Sequence, residues 1–239
     1  MPRQAQSTYV RNLVDEVVAH LREHADPANA APMAAYMKTT MPFYGVKAPE
    51  RRAFEKRLKK EFAPADREAY EAAIRALWRR PHREEKYMAV AMASMFRQFH
   101  TPEVLPLCEK LIREGAWWDF VDEVAGNVVA PTQRRYRAEV RPVMDRWIED
   151  DDMWIRRAAI LSQLKLKADT DADQLADYCR RCLHEKEFFI RKAIGWALRD
   201  YSYTNPEFVR SFVETHRDRL SGLSIREALK ALERMASAQ

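Results

Sequence analysis

The sequence predicts an all-α fold, a right-handed α-solenoid of about six HEAT-like helical repeats, and three observations carry that expectation. Glycine is scarce, with 5 in 239 residues. Strand-rich folds built on tight hairpins, and turns that need positive φ, are therefore hard to form. The good helix formers Ala, Leu, Arg, Glu, Lys and Met are plentiful. Finally, one short motif returns at a constant interval of 35 residues.

Taken in chain order, the motif reads Glu50-Arg51-Arg52, Glu85-Lys86-Tyr87, Phe120-Val121-Asp122, Trp154-Ile155-Arg156-Arg157-Ala158-Ala159-Ile160, Phe189-Ile190-Arg191-Lys192-Ala193-Ile194-Gly195 and Ser224-Ile225-Arg226-Glu227-Ala228-Leu229. An apolar helix ends in phase before the middle units, at Leu77-Trp78, Leu111-Ile112, Trp147-Ile148 and Cys182-Leu183. Polar turns follow, such as Arg79-Arg80-Pro81-His82 and Glu149-Asp150-Asp151-Asp152. A helix, a turn and a second helix in each 35 residues describe a solenoid unit. The tetratricopeptide signature residues are absent, so the units are HEAT-like, with the second helices lining a concave face. The expectation is a single domain over residues 1–239, with the order of residues 1–8 left open.

Charge and motif content narrow the function. A formal net charge of +5 suggests an anionic partner without establishing one. No apolar run reaches the roughly 20 residues of a membrane span, and the opening segment Met1–Tyr9 lacks the apolar core of a signal peptide. No membrane partner is therefore expected. Three cysteines cannot build a disulfide framework, which fits a reducing cytoplasm. Cys179 and Cys182 form a C-x-x-C without a second pair, and His20 and His24, one helical turn apart, read as an exposed helix face. There is no glycine-rich phosphate loop and no iron–sulfur pattern, so no cofactor and no metal are expected.

The repeat places two rows of side chains along the stack. Arg51, Lys86, Arg156, Arg191 and Arg226 form the first, interrupted by Val121. A structural role, tying neighbouring repeats together, competes there with a role in binding. The second row is Arg52, Tyr87, Asp122, Arg157, Lys192 and Glu227. Through its middle units an anionic polymer could make successive phosphate contacts. Asp122 breaks this row. One repeat from Arg157, it is either that residue's ion-pair partner, which spacing alone favours, or a group that does chemistry.

Aromatic residues surround Asp122. Trp117 and Trp118 precede it, Trp118 shares its helix face if the helix has begun by then, and one of the two tryptophans is expected in the core. Trp196 lies four residues after Lys192. Tyr36 lies in an earlier amphipathic stretch, where packing alone could explain it. With these residues the chain resembles the AlkD family of HEAT-like-repeat DNA glycosylases. The resemblance runs over about 200 residues, from Met33-Ala34-Ala35-Tyr36-Met37-Lys38 and Pro49-Glu50-Arg51-Arg52, through Trp117-Trp118-Asp119-Phe120-Val121-Asp122 and the Trp154 motif, to Lys186–Trp196.

The resemblance implies hydrolytic excision of N3- and N7-alkylated purines from duplex DNA, leaving an abasic site, with the lesion largely unflipped. It implies that Asp122 is the catalytic carboxylate, that Trp118 and Trp196 cradle the lesion-bearing nucleotide with Tyr36 beside them, and that Arg157 grips the DNA backbone. Lys47, Arg52, Lys165, Phe188, Phe189 and Lys192 complete the expected DNA-contacting set. Lys47-Ala48 departs from the family, where small polar side chains are expected. A monomer with no obligate protein partner is anticipated, cytoplasmic and nucleoid-associated when bound to DNA. The alternatives are a non-catalytic relative that binds damaged or branched DNA, and a protein-binding scaffold.

Overall fold

The computed structural model describes residues 3–237, and the expectation for the chain's first residues falls partly outside it, at residues 1 and 2. Residues 3–8 lie in the first helix. The fold is all-α, with no strand among the described residues and no helix there long and apolar enough to cross a membrane. The chain divides into two compact units, Met1–Phe99 and His100–Gln239.

The first unit contains α1 (Arg3–Glu23), α2 (Pro27–Met37), α3 (Ala48–Glu61), α4 (Arg67–Trp78) and α5 (Arg83–Met95). Asp26 starts α2 by accepting from the Ala28 amide, and Asp66 starts α4 by accepting from the Ala69 amide. The helices α1, α3 and α5 meet over Leu13, Val17, Leu21, Phe54, Leu58, Met88 and Met92, all essentially buried. The connection between α2 and α3 is held from below. Buried Glu84 accepts the amides of Tyr44, Gly45 and Val46, at 3.1, 2.8 and 3.1 Å. Gly45 sits at φ +89°, where an added Cβ would lie 2.0 Å from the Asp26 carbonyl oxygen, so only glycine passes there.

The second unit contains α6 (Leu105–Gly115), α7 (Trp118–Val124), a π-helical turn (Ala125–Val129), α8 (Ala130–Arg135), α9 (Arg137–Trp147), α10 (Met153–Leu161), α11 (Ala172–Arg181), α12 (Phe188–Ser202), α13 (Pro206–Thr215) and α14 (Gly222–Ser237). Here α7 packs on α10, α10 on α12 and α12 on α14, each beside the helix that precedes it. This is the nearest-neighbour stacking of a solenoid. The motif residues Phe120, Ile155 and Ile190 are fully buried at these contacts.

The predicted period sets the helix starts. The second helices α3, α5, α7, α10, α12 and α14 begin at Ala48, Arg83, Trp118, Met153, Phe188 and Gly222. Glycine scarcity did not exclude left-handed backbone, because Lys38, Ala116, Lys165 and Lys167 adopt positive φ at helix ends and turns. Four of the five cations in the first row are structural. Arg51 donates to the Val46 carbonyl (2.7 Å), Lys86 to that of Trp78, Arg156 to that of Asp150 (2.6 Å) and Arg191 to that of Glu185 (2.9 Å). These cations satisfy carbonyls in the turn within their own unit, and Arg156 also reaches the next turn through Glu185, at 2.7 Å.

The tightest helix contact makes a prediction against helix propensity. An alanine Cβ at Gly195 in α12 would meet Glu227 Cβ at 2.5 Å and the Ser224 carbonyl oxygen at 2.8 Å. Propensity alone would make Gly195→Ala stabilising by about 1 kcal/mol. The packing instead predicts a loss of about 1–3 kcal/mol, read by urea denaturation.

Candidate active site

Local backbone geometry places Asp122. Ala116 is left-handed (φ 39°) and Trp117 extended (φ −154°), so α7 begins at Trp118, and Trp118 and Asp122 share one helix face. Trp118 is half-buried. Trp117 turns into an aromatic cluster, its ring centroid 5.8 Å from that of Trp154 and 5.3 Å from that of Phe189, with Trp154 and Phe189 4.9 Å apart. Neither tryptophan of the pair is a fully buried core residue.

Against this cluster lies a bidentate ion pair. Arg157 Nε is 2.7 Å from Asp122 Oδ1 and Nη2 is 2.8 Å from Oδ2, with the two side chains 3% and 13% exposed. Arg157 also donates through Nη1 to the Phe189 carbonyl, and its guanidinium lies 5.8 Å from the Phe189 ring. One side chain of α10 thus joins α7 to α12. Burial pushes the Asp122 carboxyl above the usual range, opposed by the hydrogen bonds and charge of Arg157, while Asp119 and Glu123 push it further up.

The resemblance gave Arg157 a DNA-backbone grip. In this structure the guanidinium is buried and three of its donors serve internal acceptors.

Further members of the second row also meet a neighbour one repeat away. Lys192 Nζ lies 3.6 Å from Glu227 Oε1 and 5.9 Å from the exposed ring of Phe188. Tyr87 is covered by Arg51, 4.5 Å from its ring, and its hydroxyl accepts from Arg83 at 3.0 Å. An uninterrupted line of free cations is therefore not what the row forms. Trp196, one turn beyond Lys192, is half-buried. Lys165 is exposed just after α10, its Nζ 3.0 Å from Asn127 Oδ1 on the π-helical turn and its amide 2.8 Å from Asp200 Oδ2.

In the first unit, Tyr36 is 72% exposed on α2, Lys47 is exposed at the N-cap of α3, and Arg52 is exposed in that helix. Sequence reasoning missed the supports of these residues. Glu84 offered no signal beyond a charge in a helix, whereas Asp200 stands one repeat after Lys165 and could have been found by the period.

Cys108, Cys179 and Cys182 form no disulfide and are buried, and burial pushes the Cys182 thiol up to about 12 and that of Cys179 up as well, disfavouring the thiolate.

A family model described as "DNA alkylation repair enzyme" matches residues 17–232. The comparison with curated proteins gives no match. Among solved structures, a "Predicted DNA alkylation repair enzyme from Enterococcus faecalis" is similar, at 34% identity and a TM-score of 0.80, covering 87% of this chain and 97% of that one.

The buried pair makes a stability prediction. Asp122→Ala leaves the guanidinium without its counter-ion and costs about 3–5 kcal/mol. The double variant Asp122→Ala/Arg157→Leu loses markedly less than the sum of the two single losses, a double-mutant cycle read by urea denaturation.

Proposed function

The chain belongs to the DNA alkylation repair enzyme family, and we propose that within it this protein is a monofunctional DNA glycosylase whose whole chain, residues 1–239, acts as one domain. Its substrates are N3- and N7-alkylated purines in duplex DNA, and hydrolysis of the N-glycosidic bond leaves an abasic site. The observation that carries this reading is the buried Asp122 carboxylate, held by Arg157 on the face that also presents Trp118.

The chemistry suits a single carboxylate. An alkylated purine already bears positive charge and leaves as a neutral base, so no general acid is needed. Positive charge grows instead on the deoxyribose, where a fixed anion stabilises the transition state more than the ground state. Two of the carboxylate's lone-pair sites serve Arg157. Others remain to orient water or face the sugar. The indole faces of Trp118 and Trp196 attract a cationic nucleotide by about 0.5–2 kcal/mol each. Their half-exposed positions on helix surfaces suit a lesion that stays in the duplex and is recognised by charge, which would admit bulky adducts as well as methyl groups. Tyr36, Lys47, Arg52, Lys165, Phe188 and Lys192, all at least partly exposed, supply contacts to the DNA backbone and stacking surface.

A second reading rests on the same ion pair. With both Asp122 oxygens engaged by Arg157, the site could serve a non-catalytic protein that binds damaged or branched DNA. Incubation with duplex DNA carrying N7-methylguanine or N3-methyladenine separates the two. The glycosylase releases free base and leaves abasic sites without strand cleavage, whereas binding without release supports the second reading.

A pH dependence follows from the pair. Excision requires ionised Asp122, so the single-turnover rate rises with pH to a plateau. Removing the cation favours the neutral acid. Arg157→Gln therefore moves the acid limb to higher pH, and Arg157→Lys restores most of the displacement.

A further inference from the structure

His20 lies in the last turn of α1 and His24 just beyond its end, and the fold brings Glu50, from the first turn of α3, against both. Glu50 Oε1 lies 3.5 Å from Nε2 of His20 and 3.5 Å from Nε2 of His24. One ligand atom from each residue can be chosen so that all lie within 4.8 Å of one another. In a tetrahedral zinc site with bonds of about 2.0–2.2 Å, neighbouring donor atoms stand roughly 3.4 Å apart. The two nitrogen–oxygen separations already match that edge.

The two imidazoles are set as ligands. The His20 side chain is 10% exposed, its ring stacked on Phe54 with centroids 3.8 Å apart, and its Nε2 is buried without a hydrogen-bond partner among the described residues. A buried ring nitrogen left in this way is an unmet demand that a metal ion would fill. His24 Nδ1 lies 2.9 Å from the His20 carbonyl oxygen, so donation there leaves the lone pair on Nε2, beside Glu50. The nearby cation Arg57 is balanced by Glu16 at 2.6 Å and Glu61 at 3.5 Å.

We propose that His20, His24 and Glu50 form a binding site for a divalent transition-metal ion of the zinc class, with a fourth position for water. Two imidazoles and one carboxylate suit a borderline ion, whereas magnesium and calcium prefer all-oxygen shells. The ion would clip the end of α1 to the first turn of α3, the helix that carries Lys47 at its N-cap and Arg52. The proposal stands independently of the glycosylase reading.

The test uses the full chain without a histidine tag, stripped with a chelator and titrated separately with zinc and cobalt(II) salts. Saturable one-to-one binding is expected, with a zinc-dependent rise in melting temperature and a cobalt visible spectrum lacking thiolate charge transfer. Magnesium and calcium at equal concentration should leave the melting temperature unchanged. His24→Gln and Glu50→Gln alter side chains that are 37% and 44% exposed, so both should fold with the metal-free stability of the wild type. Each should weaken zinc binding on the order of tenfold or more. Absence of saturable binding by the wild type, a thiolate spectrum, or undiminished binding by both variants would overturn the proposal.

Discussion

The contact between Arg157 and Asp122 is the constraint around which the second unit's candidate site is organised. A carboxylate this buried is stable as an anion only beside a cation with matched geometry, and the guanidinium supplies two parallel hydrogen bonds. The same guanidinium reaches the Phe189 carbonyl. The charge on α7 is therefore fixed relative to the first turn of α12, whose next turns carry Lys192 and Trp196. Breaking the pair would strand one ion in a largely buried setting beside the Phe189 ring. Burial pushes the Asp122 carboxyl up and Arg157 opposes that shift, so the two side chains set its ionisation together. On the proposed reading, a carboxylate fixed in this way stabilises positive charge growing on a sugar.

Much of this was legible in the sequence because a solenoid makes tertiary contacts at fixed sequence intervals. The recurrence at Ile155 and Ile190 located buried packing positions. The interval between Asp122 and Arg157 was enough to put an ion pair among the readings, and the pair is present. In the second row, residues one repeat apart are close enough to pair, as Lys192 and Glu227 do.

Features set by turn geometry were not legible. The first row's direction depends on which carbonyls the preceding turn leaves exposed, and the sequence does not say that Arg51 will meet Val46 or that Arg191 will meet Glu185. Glu84 clamps the loop before α3 through backbone amides, which have no sequence signature. His20 and His24 looked like a solvated face because their partner, Glu50, belongs to another helix. The left-handed turn at Lys165 hid behind a residue type that rarely adopts it.

On the proposed reading, the buried carboxylate of Asp122 stabilises the transition state for base departure while contributing little to DNA affinity. The most direct measurement is single-turnover release of N7-methylguanine from a saturated duplex, comparing the wild type with Asp122→Asn after both are shown to bind the same DNA. The account predicts near-equal binding and release slowed by about 100- to 1,000-fold, the loss typical of removing one preorganised electrostatic group. Release by Asp122→Asn at the wild-type rate, with binding intact, would contradict it.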